Sequence, residues 1–302
     1  MNIAILSNGN INYSTLRLKE EAEKHGHRVK VIKYKNCYVS IDERHPKVIY
    51  RGREIGNFDV FIPRIASYMT RYGTSVVRQL EMAYPNTFFA NRSIAINRSR
   101  DKLRSVQLLA RAGVAIPKTV FSRNETDIEV LLDEIGGTPV IIKLARGTHG
   151  NGVVLAESKK AAKSVLQAFY LTNEDGTNVL LQEFVKESAG TDIRAFVVGS
   201  RVVASMRRQS LDDDFRSNLH KGGAGTAIKL TDEERKMCVK AARAMNLTVA
   251  GVDFMRSARG PLVLEVNASP GFGIEKITGR DVATPIIEYI ERNAKRRPKK
   301  DK

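Results

Sequence analysis

Three oxygen-bearing side chains stand close together late in the sequence: Asp253 in Gly251-Val252-Asp253, and Glu265 and Asn267 in Leu264-Glu265-Val266-Asn267-Ala268-Ser269-Pro270-Gly271. Residues two apart on a strand share a face, so Glu265 and Asn267 project together, and pairing of the two segments would bring in Asp253. Hard oxygens in such a set suit magnesium, which takes one or two carboxylates and completes its shell with water and substrate phosphate. Gathered without a cation or partner, buried carboxylates are costly. A salt-bridged strand end is the plainer alternative.

Cations and glycines offer the complementary half. Lys143 ends the apolar run Pro139-Val140-Ile141-Ile142-Lys143, placed to present an ammonium to phosphate oxygens, and Lys102 offers a second. Gly147, Gly150 and Gly152 follow in Gly147-Thr148-His149-Gly150-Asn151-Gly152, where backbone N–H groups can approach an anion closely. This stretch lacks the Gly-Lys-Ser/Thr ending of a P-loop and leads into a strand, so it suits a flap over phosphates better than a cradle at a helix terminus. Arg194, Arg207, Arg208 and Arg216 supply guanidinium forks for a phosphoryl group or a carboxylate. Taken singly, each of these is an ordinary hairpin, strand cap or surface charge. No Ser-His-Asp order, catalytic carboxylate pair or nucleophilic cysteine setting emerges, and His149 and His220 are left without chemistry.

The elements that must position these groups fall into a regular order. Asn2 to Leu6 reads as a strand, the segment to Gly26 as a helix, Arg28 to Tyr34 as a strand, Lys47 to Ile55 as a hairpin and Asp59 to Ile62 as a strand. An open α/β domain over residues 1–97 is expected. Leu103 to Leu109 is helical and stops at Gly113. A helix from Val130 to Ile135, the Lys143 strand, a strand Val153 to Ala156, a helix from Ser158 to Phe169 and a strand Val179 to Phe184 fill residues 98–185. Strands at Ile193 to Val198, Val202 to Met206, Val249 to Phe254 and Leu262 to Val266, with helices near Thr231 to Met245 and Asp281 to Asn293, fill residues 186–294. Residues 295–302 form a basic tail, expected to be disordered.

The chain has 302 residues, 42% apolar and 27% charged, a composition that excludes a wholly disordered or fibrous protein. Cys37 and Cys238 lie far apart without CxxC spacing, so neither a disulfide framework nor a zinc finger is indicated. No stretch approaches the roughly 18 apolar residues of a membrane span, and the start has no basic leader region. A cytoplasmic protein without membrane contact is expected. The net charge of +17 splits into surpluses of eight in residues 1–99, four in 100–294 and five in 295–302. The excess thus lies outside the segment that carries the chemistry, and an RNA-binding sheet with interleaved aromatics is not apparent.

Several motifs together resemble one family. Arg100-Asp101-Lys102-Leu103-Arg104-Ser105, Pro139 to Lys143, Gln182-Glu183-Phe184, Asp192-Ile193-Arg194, Phe215-Arg216-Ser217-Asn218-Leu219-His220-Lys221-Gly222-Gly223 and Glu265 to Gly271 are similar to the ATP-grasp ligases of the RimK type, and Pro63-Arg64-Ile65 also fits. The resemblance implies an ATP-grasp fold of mixed α/β and α+β class, preceded by a pre-ATP-grasp domain. It implies ATP as co-substrate and two Mg2+ or Mn2+ ions held by Asp253, Glu265 and Asn267. Lys102, Lys143 and the three flap glycines would contact phosphates, Glu183 and Phe184 the adenine, Asp192 the sugar side, and Arg216, Ser217 and Asn218 the phosphates. Arg194, Arg208 and Arg216 are the catalytic candidates. The implied reaction adds L-glutamate to the acidic C-terminal tail of a ribosomal protein, or makes poly-α-glutamate, through an acyl phosphate. A homo-oligomer, dimer or tetramer, is expected, with no nucleic-acid contact beyond ribosomal RNA beside the acceptor. The rivals are a ligase of the same mechanism for another amino acid, coenzyme or peptide, a basic nucleic-acid-binding protein, and a nucleotide-binding regulator without catalysis.

Overall fold

The continuous apolar run in Asn2–Ser7 makes a strand buried along almost its whole length, and it becomes the centre of the first sheet. Arg28–Lys33 lies parallel on one side, Val60–Pro63 parallel on the other, and Phe88–Phe89 closes the order. The computed structural model describes residues 1–8, 12–43, 45–123, 127–144, 152–171, 179–210, 215 and 224–294. Gly147, Gly150, Arg216, Ser217, Asn218, His149, His220 and the basic tail lie outside the described residues. A small antiparallel sheet, Cys37–Ser40, Lys47–Tyr50 and Arg53–Glu54, includes the expected hairpin.

Helix Thr70–Ala83 is an element the sequence reading does not anticipate. Its first turns hold Thr70, Gly73 and Thr74, all weak helix formers, so tertiary contact decides. A Cβ on Gly73 would lie 2.6 Å from Ile65 Cγ2, and the glycine is what allows the helix to approach the segment leaving the first sheet.

Residues 119–183 form an antiparallel sheet in the order Val153–Ala156, Val140–Leu144, Val179–Glu183, Thr119–Ser122. Helices Ile128–Ile135 and Lys159–Leu171 pack against it, and Leu132, Val140, Ile142, Leu166 and Leu181 make a core of their own. The third sheet is also antiparallel: Ala224–Ala227, Arg201–Gln209, Thr191–Val198, Val249–Ser257, Gly260–Asn267. Helix Asp232–Ala244 covers it, opened by a capping box in which Thr231 and Glu234 bond reciprocally.

The third sheet shares its core with the first domain. Ile3, Ile5 and Leu18 belong to one cluster with Phe196, Phe272 and Ile286, and Leu6 and Phe61 to another with Ala195, Val252 and Phe254. Polar bonds reinforce the join, including Tyr13 Oη to Glu275 Oε2 at 2.8 Å and Thr284 Oγ1 to Glu21 Oε1 at 2.8 Å. Cys37 and Cys238 are buried as thiols, and desolvation pushes them up to about 11 and about 12. Among the described residues no helix is long and apolar enough to cross a membrane.

Asn91 ties the first domain to the segments that carry the acidic residues. Its Nδ2 donates to Val249 O at 2.8 Å and to Ala268 O at 2.9 Å, while its Oδ1 accepts from Thr248 N at 2.8 Å and Val249 N at 3.2 Å. The side chain is 3% exposed, so water cannot replace it. Asn91→Ala should lower unfolding stability by about 3 kcal/mol or more, since each buried polar group left unmatched costs about 1–3 kcal/mol. Denaturant titration checks this; an unchanged midpoint would refute the tie.

Candidate active site

Strand register brings the acidic triad together. Asp253 lies opposite Glu265, and Gly251 opposite Asn267, on Val249–Ser257 and Gly260–Asn267. A Cβ at Gly251 would come 2.9 Å from Pro270 Cβ, so the glycine admits the loop that follows Asn267. On its other side Asp253 lies opposite Arg194, and Asp192 lies opposite Arg208 on the next strand. The four residues form one alternating-charge array across three strands.

Its bonds are short and mostly buried. Arg194 Nε donates to Asp253 Oδ1 at 2.7 Å, and its Nη2 to Asp253 Oδ2 at 2.5 Å. Arg208 Nη2 donates to Asp253 Oδ2 at 2.9 Å and its Nε to Asp192 Oδ1 at 2.6 Å. Burial alone would raise the Asp253 carboxyl, but the charges of Arg194 and Arg208 outweigh it and hold the group well below the ordinary carboxylate range. Asp253 and Asp192 likewise outweigh desolvation at Arg208 and raise its guanidinium. Arg208 therefore stands behind Asp253 and positions it. Arg207 points elsewhere, exposed and bonded to Gln209.

Glu265 and Asn267 carry the more open oxygens. The Glu265 side chain keeps 58% of its surface, against 3% for Asp253, and it accepts from Asn267 Nδ2 at 2.9 Å. Desolvation by the cleft walls and the neighbouring Asp253 charge raise its carboxyl above the ordinary range. Two carboxylates side by side with an amide oxygen make a hard donor set whose mutual repulsion a divalent cation would relieve. The residues present fit magnesium.

Opposite this face are the lysines. Lys143 Nζ donates to Gln182 Oε1 at 2.6 Å, a diagonal pair across antiparallel strands, and Gln182 Nε2 donates onward to Thr119 Oγ1 at 3.0 Å. Lys102, first residue of helix Lys102–Arg111, turns back to Leu144 O at 2.7 Å. Leu144 N donates to Gly152 O at 2.9 Å, joining the two ends of the glycine segment. Desolvation lowers Lys143 to about 8, with Glu265 opposing and Lys102 adding to the fall. Lys102 is lowered for the same first reason and is also raised by Glu265. Both ammonium groups thus feel Glu265 across the cleft, an arrangement that a triphosphate between them would satisfy.

Glu183 and Phe184 lie where the second sheet leads into the third. Glu183 Oε1 accepts from Lys118 N at 2.7 Å and pairs with Arg259, so its side chain bridges subdomains, and Phe184 is half-buried beside it. Gln182, Arg100 and Asn91 hold parts of the site that sequence reasoning gave no role. For Gln182 the signal was a polar residue inside an apolar run, Val179–Leu181. For Asn91 no local pattern exists, because its partners lie far along the chain.

Comparison with known proteins covers almost the whole chain. The RimK PreATP-grasp domain model matches residues 1–96 and the RimK-like ATP-grasp domain model residues 99–290. Proteins named probable alpha-L-glutamate ligase are similar over nearly full length. The one from Picosynechococcus sp. is 55% identical over 295 residues, 97% of this chain and 96% of that one. The one from Coxiella burnetii is 53% identical over 296 residues, 98% and 97%. Among solved structures, a RimK domain ATP-grasp protein from Sphaerobacter thermophilus has TM-score 0.72 at 19% identity, covering 96% of this chain and 99% of that one. The ATP-grasp ligase PsnB, solved with a minimal precursor, Mg and ADP, has TM-score 0.72 at 22% identity and 98% coverage of both chains. These two likenesses speak for the fold. With both domain models matched in order and relatives similar from end to end, the chain belongs to the RimK-type family of ATP-grasp ligases.

Proposed function

We propose that this protein is a cytoplasmic ligase that uses ATP to join L-glutamate, by an α-peptide bond, to the C-terminal carboxylate of an acidic ribosomal-protein tail. The observation that carries the phosphate chemistry is the placement of Lys143 and Lys102 across from Glu265, beside Asp253 and Asn267. The amino acid is taken from the names of the close relatives. A surplus of eight positive charges in residues 1–99 suits an acceptor that grows more anionic with each addition.

A carboxylate is a poor electrophile at neutral pH. Transfer of the γ-phosphoryl group of ATP to one of its oxygens breaks the β–γ P–O bond, releases ADP and gives an acyl phosphate. The glutamate amine then attacks the carbonyl carbon, the C–O bond to phosphate breaks, and inorganic phosphate leaves as the amine loses a proton. Lys143 and Lys102 hold the phosphates and neutralise charge on the transferring group. Gln182 fixes the direction of Lys143. Asp253, Glu265 and Asn267 would hold two magnesium or manganese ions, which would supply further neutralisation of phosphate charge. Arg208 keeps Asp253 ionised and aimed. Arg194, bound to Asp253 and 3.9 Å from Glu265, would set a guanidinium beside the cations and so beside the transferring phosphoryl group.

Incubation with ATP, magnesium, glutamate and an acidic C-terminal peptide should release ADP and phosphate and give a mass ladder of glutamyl additions. Other amino acids in parallel reactions test selectivity, and no glutamate-dependent ADP release would refute the assignment. Asp253→Asn removes a cation ligand and leaves two buried guanidiniums facing a neutral amide. It should lower kcat/KM by about 10²-fold or more, measured by coupled ADP release.

Lys143 gives a pH signature. Its depressed value leaves it charged below about 8 and neutral above. In the free enzyme, kcat/KM for ATP should therefore fall as pH rises through about 8. Lys143→Arg should abolish that limb while keeping residual activity, because guanidinium stays charged; an identical limb in the variant would assign it elsewhere.

A further inference from the structure

A second concave site adjoins the phosphate cleft. It is a cavity of 530 Å³ lined by residues that include Ser7, Asn8, Lys35, Arg64, Tyr68 and Ser269, within the range of about 300–1,000 Å³ usual for small-molecule sites. Its place in the fold is informative. Strand Asn2–Ser7 has its parallel neighbours on opposite sides, Arg28–Lys33 and Val60–Pro63, and the cavity lies beyond the carboxyl ends of all three. Ligands of open parallel sheets bind at this reversal of strand order.

The lining is built for an anion that also carries a hydrogen-bond donor. Arg64 Nη2 donates to Pro270 O at 2.7 Å and its guanidinium lies 5.2 Å from the Phe272 ring centre, yet no carboxylate pairs with it among the described residues. Burial, with Arg100 nearby, lowers Arg64 to about 10, so an anion would relieve it. Lys35 is exposed and likewise has no acidic partner among the described residues. Two buried polar atoms at the cavity, Ser269 Oγ and Asn8 Oδ1, have no hydrogen-bond partner among the described residues; one can donate to a carboxylate, the other only accepts. Asn12, which caps helix Tyr13–Lys24, also lines the cavity, so the positive end of that helix faces it.

The cavity shares a wall with the metal and phosphate residues. Ser269 follows Asn267 in the same loop, and Arg100 acts electrostatically on both Arg64 and Glu265. We propose that this cavity binds a glutamyl carboxylate, with Arg64 and Lys35 meeting its charge, Ser269 Oγ donating to it and Asn8 Oδ1 accepting from its nitrogen. The occupant is either free glutamate or the terminal glutamate of the acceptor, and the assignment rests on the glutamate-ligase reading.

Arg64→Gln and Lys35→Gln separate the possibilities. KM is measured for glutamate and for an acidic acceptor peptide, and the dissociation constant for a fluorescent ATP analogue is measured alongside. The expected result is a rise of about tenfold or more for Arg64→Gln, and a smaller rise for Lys35→Gln, in the KM of one carboxylate substrate. Nucleotide affinity should stay within about twofold. A rise confined to glutamate places the free amino acid in the cavity; a rise confined to the peptide places the acceptor there. Unchanged KM values for both substrates would overturn the proposal. Should Arg64→Gln fail to fold, Lys35→Gln, at an exposed position, and Ser269→Ala, which removes a single unpartnered oxygen, carry the same decision. Should the wild-type enzyme show no glutamate-dependent ADP release, the ligase reading fails separately. Calorimetric titration with glutamate against glutamine then decides: no preference for glutamate, or a preference that Lys35→Gln leaves intact, overturns the cavity assignment.

Discussion

Asp253 cannot be buried alone. An ionised carboxylate with 2% exposure needs compensation inside the protein, and Arg194 and Arg208 provide it from two neighbouring strands. Arg208 in turn needs Asp192. The result is a closed electrostatic set whose members depend on strand register, since a one-residue slip would send any of them to the opposite face. Much of the third sheet follows from that requirement: antiparallel order, a glycine at 251 that admits the loop, and a helix over the apolar face.

The two sides of the cleft differ in how they are anchored. The acidic side belongs to a sheet that shares two apolar clusters with the first domain and is further held by Asn91 and by ion pairs from Arg17 to Glu275 and Asp281. Lys143 belongs to a sheet with its own small core, whereas Lys102 opens a helix whose Leu109 lies in a cluster shared with the acidic sheet. Bridges between them are polar and few, such as Glu183 with Arg259 and Lys102 with Leu144 O. Acids and Lys102 on one packed body, with Lys143 on another, are a reasonable division for a site that must admit ATP and then enclose it.

The sequence showed a good deal of this directly. Short apolar runs marked Asn2–Ser7, Val140–Leu144 and Val249–Ser257, and period-two alternation marked Arg28–Lys33, because strand burial shows in the local pattern. Asp253, Glu265 and Asn267 were legible as one face because strand geometry fixes where residues two apart must point. What stayed hidden depended on distant partners. Helix Thr70–Ala83 is set by how Gly73 meets Ile65, and Gln182 gains meaning only when Lys143 lies diagonally across from it. Arg194 and Arg208 were legible as forks, but that they grip Asp253 could not be read without the register. Arg64 was visible as part of a motif, while the cavity around it arises only where two domains meet.

Asn91 also makes the halves interdependent during assembly. Strand Val249–Ser257 begins, and the loop after Asn267 turns, on backbone groups that this first-domain amide bonds. The acidic strand and the loop after Asn267 therefore lean on the amino-terminal half for four of their backbone hydrogen bonds. Separating the two halves genetically would cost the second its shape as well as its neighbour.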